Sequence, residues 1–410
     1  MLTAEQNDML TKVGPGTPAG EMFRRYWLPV GISAEVRDVP EKVRVLGEDL
    51  VLFRDENGQP GLIGHQCPHR LTSFEYARVE CGGIRCPYHG WLFDIHGKCL
   101  EMPGEPKDST FKDRVKHTAY PCRDLGGLVF AYMGPGEPPL LPSFEILNSD
   151  KFVRRASMDW PVFPCNWLQI AENDIDPVHA SVLHNDASFA QNTLFPLMAN
   201  KIEFEETEHG VRYTAYRPGP EPGTLYARRV NQVMPAILAF GPGKSPDRPN
   251  DPEFGGSLRW RVPIDDTSTK LFSIYAAPKK HINEIDQNGR DMGGIFAPKE
   301  DVQGSLAGKY WMAKRDANGR YILDQTWKQD YVAIVSQGPI VDRTRERLGT
   351  SDGGVIRLRK MHMDAIKAVQ EGRDPQGVYR DPATQKVIRF ARTNQIGRSE
   401  KELEPSYADF

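Results

Sequence analysis

The stretch from His65 to Trp91 constrains this chain more than any other. It reads HQCPHRLTSFEYARVECGGIRCPYHGW and holds two short mixed pairs, Cys67-Pro-His69 and Cys86-Pro-Tyr-His89, with sixteen residues between them. Pro follows each Cys, and Gly82, Gly83 and Gly90 surround the second pair, so each pair sits in a tight turn. A fold must bring these two turns face to face. The flanks supply a scaffold: Val43–Leu46 and Leu50–Phe53 read as short strands, Asn57-Gly58 as a hairpin turn, Trp91–Ile95 with His96-Gly97 as a second hairpin, and Gly126–Met133 as a buried strand. The pattern predicts a small all-β unit holding both loops.

Two thiols and two imidazoles in mixed pairs suit a Rieske [2Fe–2S] cluster, with two thiolates on one iron and two imidazoles on the other. Each loop then gives one ligand to each iron, so spacing within a pair must be short. A structural zinc site is the rival, but zinc fingers usually pair Cys with Cys and His with His. Cys81, Cys99, Cys122 and Cys165 have no second pattern and read as single thiols.

A second constellation lies in Asn166–Asp186, NWLQIAENDIDPVHASVLHND. His179 and His184 are five apart in a stretch, Trp167 to about His184, that reads as one helix. Steps of three share a helix face, whereas five strays from it, so aiming both imidazoles at one ion needs a local distortion. Pro177 is a cause for it, since it removes a backbone donor. Two His with one carboxylate and open positions is the ligand set of non-haem Fe(II) oxygenases. Beside an electron-transfer centre, an iron that receives electrons is the natural reading.

At this point the chain resembles the oxygenase (alpha) component of the Rieske non-haem iron aromatic-ring oxygenases. The cluster pattern and the run Glu172-Asn173-x-x-Asp176-x-x-His179-x₄-His184 carry the resemblance. The opening LTAEQNDMLTKVGPGTPAGEMFRRYWLPV and VRVLGEDLVLFRD resemble the phthalate 4,5-dioxygenase branch. Respiratory Rieske proteins place extra cysteines where Leu71 and Pro87 stand here, so the resemblance implies no disulfide at the cluster. It implies cluster ligands Cys67, His69, Cys86 and His89, and iron ligands His179, His184 and, far downstream, Asp330, with Asp324 and Asp342 as rivals. Asp176 matches a carboxylate that bridges an iron His to a cluster His of the neighbouring subunit, and Asn173 matches a residue near the iron. Relatives often carry a Glu five residues after the downstream Asp that Asp330 matches; here it is Val335. Tyr88 and Trp91 flank the cluster loop.

The resemblance also implies the fold class: α+β, an all-β Rieske domain plus a helix-grip (START-like) antiparallel-sheet catalytic domain. The expected division is a helical segment over 1–24, a cluster domain over 25–140, an iron domain over 141–395 and a tail over 396–410. GPGEPPLLP at 134–142 marks the boundary. A homo-trimer or hexamer would bring one subunit's cluster beside the next subunit's iron. The expected reaction is O₂-dependent oxygenation of an aromatic substrate in aromatic catabolism, with electrons from a separate NADH-dependent flavin and iron–sulfur reductase. The product is a cis-dihydrodiol or, alternatively, an O-demethylated phenol. A bare electron-transfer Rieske protein would need only the first part of the chain.

Composition supports an ordinary globular enzyme. Lys and Arg number 52 against 55 Asp and Glu, a net charge of −3 over 410 residues, without the basic excess of a nucleic-acid binder. No run approaches about 18 apolar residues, and the polar start is no signal peptide, so a cytoplasmic, membrane-free location is expected. Gly243-Lys244-Ser245 invites a phosphate-loop reading, but Leu238 stands where the first Gly belongs. For substrate, Arg228 on a predicted strand resembles a carboxylate-binding position. Arg229 beside it would face the other way. The upstream strand offers only Lys201 as a second cation, which favours one carboxylate over two.

Overall fold

The computed structural model describes residues 1–185, 197–244, 254–279 and 297–408. Thr3 caps α1 (Ala4–Thr11), accepting from the Gln6 amide while the Gln6 side chain accepts from the Thr3 amide. Thr17 caps α2 (Pro18–Phe23), with Pro in its first turn. Both helices belong to the core: Leu10, Met22 and Phe23 are fully buried, and Phe23 meets Trp167 edge-on at 4.8 Å.

The cluster loops hang on small antiparallel sheets. One pairs Trp27–Ile32, Leu128–Tyr132 and Cys122–Leu125; a second joins Glu41–Val45, Glu48–Arg54, Pro60–Gly64 and Ala119–Tyr120; a third joins Arg78–Glu80, Gly83–Arg85, Leu92–Phe93 and Cys99–Glu101. The expected turns are present, with Gly58 at φ +76° and Gly97 at φ +79°.

An eight-stranded antiparallel sheet dominates the rest. Its strands are β1 (Phe152–Ser157), β2 (Lys201–Thr207), β3 (Gly210–Pro218), β4 (Leu225–Val233), β5 (Ile237–Phe240), β6 (Gly256–Asp265), β7 (Ser268–Pro278) and β8 (Asn394–Gly397). They run in the order β1-β7-β6-β5-β4-β3-β2, and β8 pairs with the first half of β4. The tail therefore wraps back onto the sheet: Arg229 on β4 bonds the Leu403 carbonyl and the Gln395 side chain. Part of the loop from Pro242 to Gly256, residues 245–253 including Ser245, lies outside the described residues.

The single helix expected from Trp167 to His184 is two helices, α3 (Trp167–Asp174) and α4 (Pro177–Val182). Pro177 cannot continue α3, and Asp176 caps α4, its carboxylate accepting from the Val178 and His179 amides at 2.7 and 3.3 Å. Downstream come α5 (Thr326–Val335) and α6 (Gly353–Gln370), the second stopped by Gly372 at φ +75°. Gly354 lets α6 approach α3: a Cβ there would lie 2.8 Å from the Ile175 carbonyl oxygen.

Strand register sorts the sheet residues between two faces. Arg228 pairs with Ala215 and Arg259 with Leu238 and Ser273, so Arg217, Arg228, Phe240, Arg259, Arg261 and Tyr275 share one face. The opposite face carries Trp260, which meets Phe130 of the cluster part at 5.5 Å.

Candidate active site

The cluster loops are built alike. In each, the amide four residues after the Cys donates back to its carbonyl, Leu71 to Cys67 at 2.9 Å and Gly90 to Cys86 at 3.1 Å. Both donors have positive φ, +60° and +76°. Arg85 holds the second loop, donating to the Gly90 carbonyl at 2.7 Å and to Glu101 at 2.8 Å. The thiols lie inward: Cys67 and Cys86 are 1% and 2% exposed. Burial, with Cys86 alongside, pushes the Cys67 thiol up to about 12. The imidazoles lie outward, His69 exposed and His89 half-buried, with ring centroids 4.4 Å apart. Trp91 stacks on His69 at 4.5 Å with a 7° interplanar angle.

This arrangement separates a sulfur end from a nitrogen end, as a two-iron cluster requires. It does not suit one zinc ion. Among the described residues, the one set of three His, Cys, Asp or Glu ligand atoms found within 4.8 Å of one another is elsewhere, at His179, His184 and Asp330.

That second set is assembled from two helices and the turn after one of them. His179 lies on α4, His184 just after it, and Asp330 on α5. Asp330 Oδ1 is 3.7 Å from His179 Nε2 and 3.2 Å from His184 Nε2. The break at Asp176 is what lets residues five apart converge. Asn173 on α3 donates to Asp330 Oδ1 at 3.5 Å. Asp330 and His184 are buried, at 8% and 3% exposure. Burial pushes the Asp330 carboxyl up, but His184, His179 and Asn173 outweigh it and hold it below the ordinary range. Behind His179, Asp176 Oδ2 is 3.5 Å from Nδ1. Burial lowers the His179 imidazole, yet Asp176 and Asp330 raise it above its usual value. A buried carboxylate between convergent imidazoles fits a divalent iron.

Two ion-pair systems fix these helices. Asp174 takes Arg261 of β6 at 2.6 Å. Glu172 takes Arg343 and Arg359, each at 2.7 Å, and Arg359 continues to Glu346. Arg217 of β3 donates to the Pro177 carbonyl at 3.4 Å and so ties the sheet to the start of α4.

The sheet face turned toward these helices is polar. Arg228 lies 5.4 Å from the Phe240 ring centroid and donates to Asn394 Oδ1 at 3.3 Å. Arg259 covers the same ring at 5.3 Å and Tyr275 at 5.4 Å. Arg259 Nε, Ser257 Oγ and both Gln232 amide atoms are buried without a hydrogen-bond partner among the described residues. Such groups cost about 1–3 kcal/mol each when unpaired, so this wall has polar capacity left over that a polar ligand would fill. Lys201, the only other cation the upstream strand offers, is exposed and paired with Glu203 and Glu400 at 2.8 Å, away from this wall. The cation beside Arg228 at the Phe240 ring is Arg259. Strand alternation from Arg228 could not reveal it, because the link runs across β5, not along the chain.

A family model described as Rieske [2Fe-2S] domain matches residues 26–120, and one described as LigXa C-terminal domain like matches residues 131–395. The chain is 37% identical over 397 residues to the 5,5'-dehydrodivanillate O-demethylase oxygenase subunit of Sphingobium sp. (strain SYK-6), spanning 95% of this chain and 86% of that one. It is 34% identical over 420 residues to the phthalate 4,5-dioxygenase oxygenase subunit of Pseudomonas putida, spanning 95% and 92%. The terminal oxygenase of carbazole 1,9a-dioxygenase from Novosphingobium sp. KA1 matches in structure with a TM-score of 0.61 over 87% of this chain and 94% of that one; at 20% identity it speaks to the fold alone. No helix among the described residues is long and apolar enough to cross a membrane.

Proposed function

This chain belongs to the Rieske non-haem iron oxygenases as an oxygenase component, and on that premise we propose that it oxygenates an aromatic carboxylate by cis-dihydroxylation. The observation that carries the substrate class is the pair Arg228 and Arg259 on one face of Phe240's surroundings, on the same sheet side as Arg217 and Arg261, which touch the iron helices. Guanidinium groups fork onto carboxylates, and an aromatic ring beside them stacks the substrate ring. Both reported relatives are named for aromatic acids, dehydrodivanillate and phthalate.

In this reading Cys67, His69, Cys86 and His89 hold the [2Fe–2S] cluster, and His179, His184 and Asp330 hold the mononuclear iron. When bound, the iron supplies the O₂ activation and the carbon–oxygen bond formation. The chain's own residues do the rest. Arg228 and Arg259 orient the carboxylate. Asn173 holds Asp330 Oδ1, and the Asp176 carboxylate stands 3.5 Å behind His179 Nδ1. The exposed His69, with Leu71 and Tyr88 exposed in the two cluster loops, is the exit for electrons, and half-buried Asp176 and His179 are their entry. Exposed apolar groups at the exit, and Val182 and Met198 near the entry, favour a trimer or hexamer that joins the two between subunits. Electrons come from a separate NADH-dependent flavin and iron–sulfur reductase. The domain division 1–24, 25–140, 141–395 and 396–410 follows the same reading.

Identity to an O-demethylase favours a second reading, removal of a methyl from a methoxylated aromatic acid. Turnover under ¹⁸O₂ with reductase, NADH and a panel of benzoates, phthalates and methoxybenzoates separates them. Two labelled oxygens in a ring diol are expected. Formaldehyde with a phenol would replace dihydroxylation by demethylation. Product from neutral aromatics alone would sink the carboxylate assignment.

A further inference from the structure

We propose that Gln329 sets the tautomer of His184 and so aims its Nε2 at the metal position; the proposal rests on His184 being an iron ligand. Gln329 lies beside Asp330 on α5 and is 4% exposed. Its side chain makes two bonds. Nε2 donates to the Leu323 carbonyl at 2.8 Å, and Oε1 lies 2.8 Å from His184 Nδ1.

The first bond decides the second. A backbone carbonyl can only accept, so the amide end that faces Leu323 must be the NH₂. That leaves the amide oxygen facing His184, and an oxygen acceptor demands that Nδ1 carry the proton. Nε2 is then the nitrogen with the lone pair, and it points at Asp330 Oδ1, 3.2 Å away. The other tautomer would set a protonated Nε2 against the metal. The carbonyl of Leu323, three residues before the start of α5, thus selects the state of a residue on another segment through one amide.

The two ligand imidazoles are held by different chemistry. His179 has a carboxylate, Asp176, behind its Nδ1, whereas His184 has a neutral amide. An anionic partner strengthens the donor nitrogen and can take the proton; a neutral amide orients the ring without doing either. Gln329 keeps the His184 imidazole fixed.

The test compares Gln329→Met and Gln329→Glu. Both lose the bond to Leu323; only Glu keeps an acceptor for Nδ1–H. Ferrous affinity is read by competition with a chelator, and ligand geometry by the EPR signal of the ferrous nitrosyl form, with the cluster oxidised and silent. Gln329→Met should weaken ferrous binding about 10- to 100-fold and split the nitrosyl signal into more than one species. Gln329→Glu should bind at least as tightly as wild type and give one species. Equal affinity in Gln329→Met and wild type, or equal loss in both variants, would overturn the proposal. If Gln329→Met does not fold, judged by cluster absorbance, Gln329→Asn replaces it, being one methylene too short to reach Nδ1. Asp330→Ala separates the two readings: iron binding unaffected by that change would refute the iron site itself, whereas iron lost there and kept in Gln329→Met refutes the role of Gln329 alone.

Discussion

Replacing Arg228 with Gln removes a charge from the proposed substrate wall while keeping a polar side chain there. The structure allows the consequence to be worked out. The guanidinium sits 5.4 Å from the Phe240 centroid, donates to Asn394 Oδ1 and is held by the Tyr226 and Tyr213 hydroxyls as well. Tyr226 also donates to that oxygen, at 2.7 Å, and β8 stays paired with β4, so the tail keeps its anchor. Stability should fall by about 1–3 kcal/mol. A charge-assisted bond to substrate is different, contributing about 1.5–3 kcal/mol, which is about 10- to 150-fold in kcat/KM. The assay measures kcat/KM for wild type, Arg228→Gln, Arg259→Gln and the double variant, each on an aromatic carboxylate and on its primary carboxamide. The carboxylate should lose the full factor and the carboxamide about threefold at most, since only the former presents a charge. If both Arg grip one carboxylate, the single losses will not add; two carboxylates would give near-additive losses. Equal losses on acid and amide, or none on either with Tm unchanged, would refute the assignment of this wall to carboxylate recognition.

Other outcomes are expected. Asp330→Ala should abolish turnover and iron retention while leaving the visible absorption of the cluster intact, because the two ligand sets share no residue; loss of both spectra would refute their independence. Asp176→Asn should keep the cap on α4, since Asn caps about as well as Asp, but slow cluster-to-iron electron transfer about 10- to 100-fold in stopped-flow traces. Glu172→Gln should destabilise the fold by about 3 kcal/mol near neutral pH, as it removes the shared partner of Arg343 and Arg359. Burial pushes the Glu172 carboxyl up, but the two Arg outweigh it and hold it below its ordinary range. Its contribution is therefore present above the unfolded value of about 4.3 and is lost as pH falls through the lower folded value. Urea unfolding at stepped pH should show the gap between variant and wild type closing on the acid side only.

The sequence by itself determined the chemistry of both centres. Cys-x-His and Cys-x₂-His pairs are short because two ligands in one loop must reach adjacent irons, and that is written in local spacing. The turns at Gly58 and Gly97, the Thr3 cap and the end of α6 before Gly372 are local too, so residue type settles them. Pro177 announced a distortion between the two His, though not that it would divide the stretch into α3 and α4 with Asp176 as the cap. What only the tertiary structure decided lies across long separations. Arg259 joins Arg228 because β5 places Phe240 between their strands, and Lys201, closer in sequence, faces solvent instead. Gln329 meets His184 across 145 residues, and the Leu323 carbonyl orients it. Motif spacing follows from what one loop or turn can reach. Which strand neighbours which, and which side chain backs a ligand, follows from packing the whole chain.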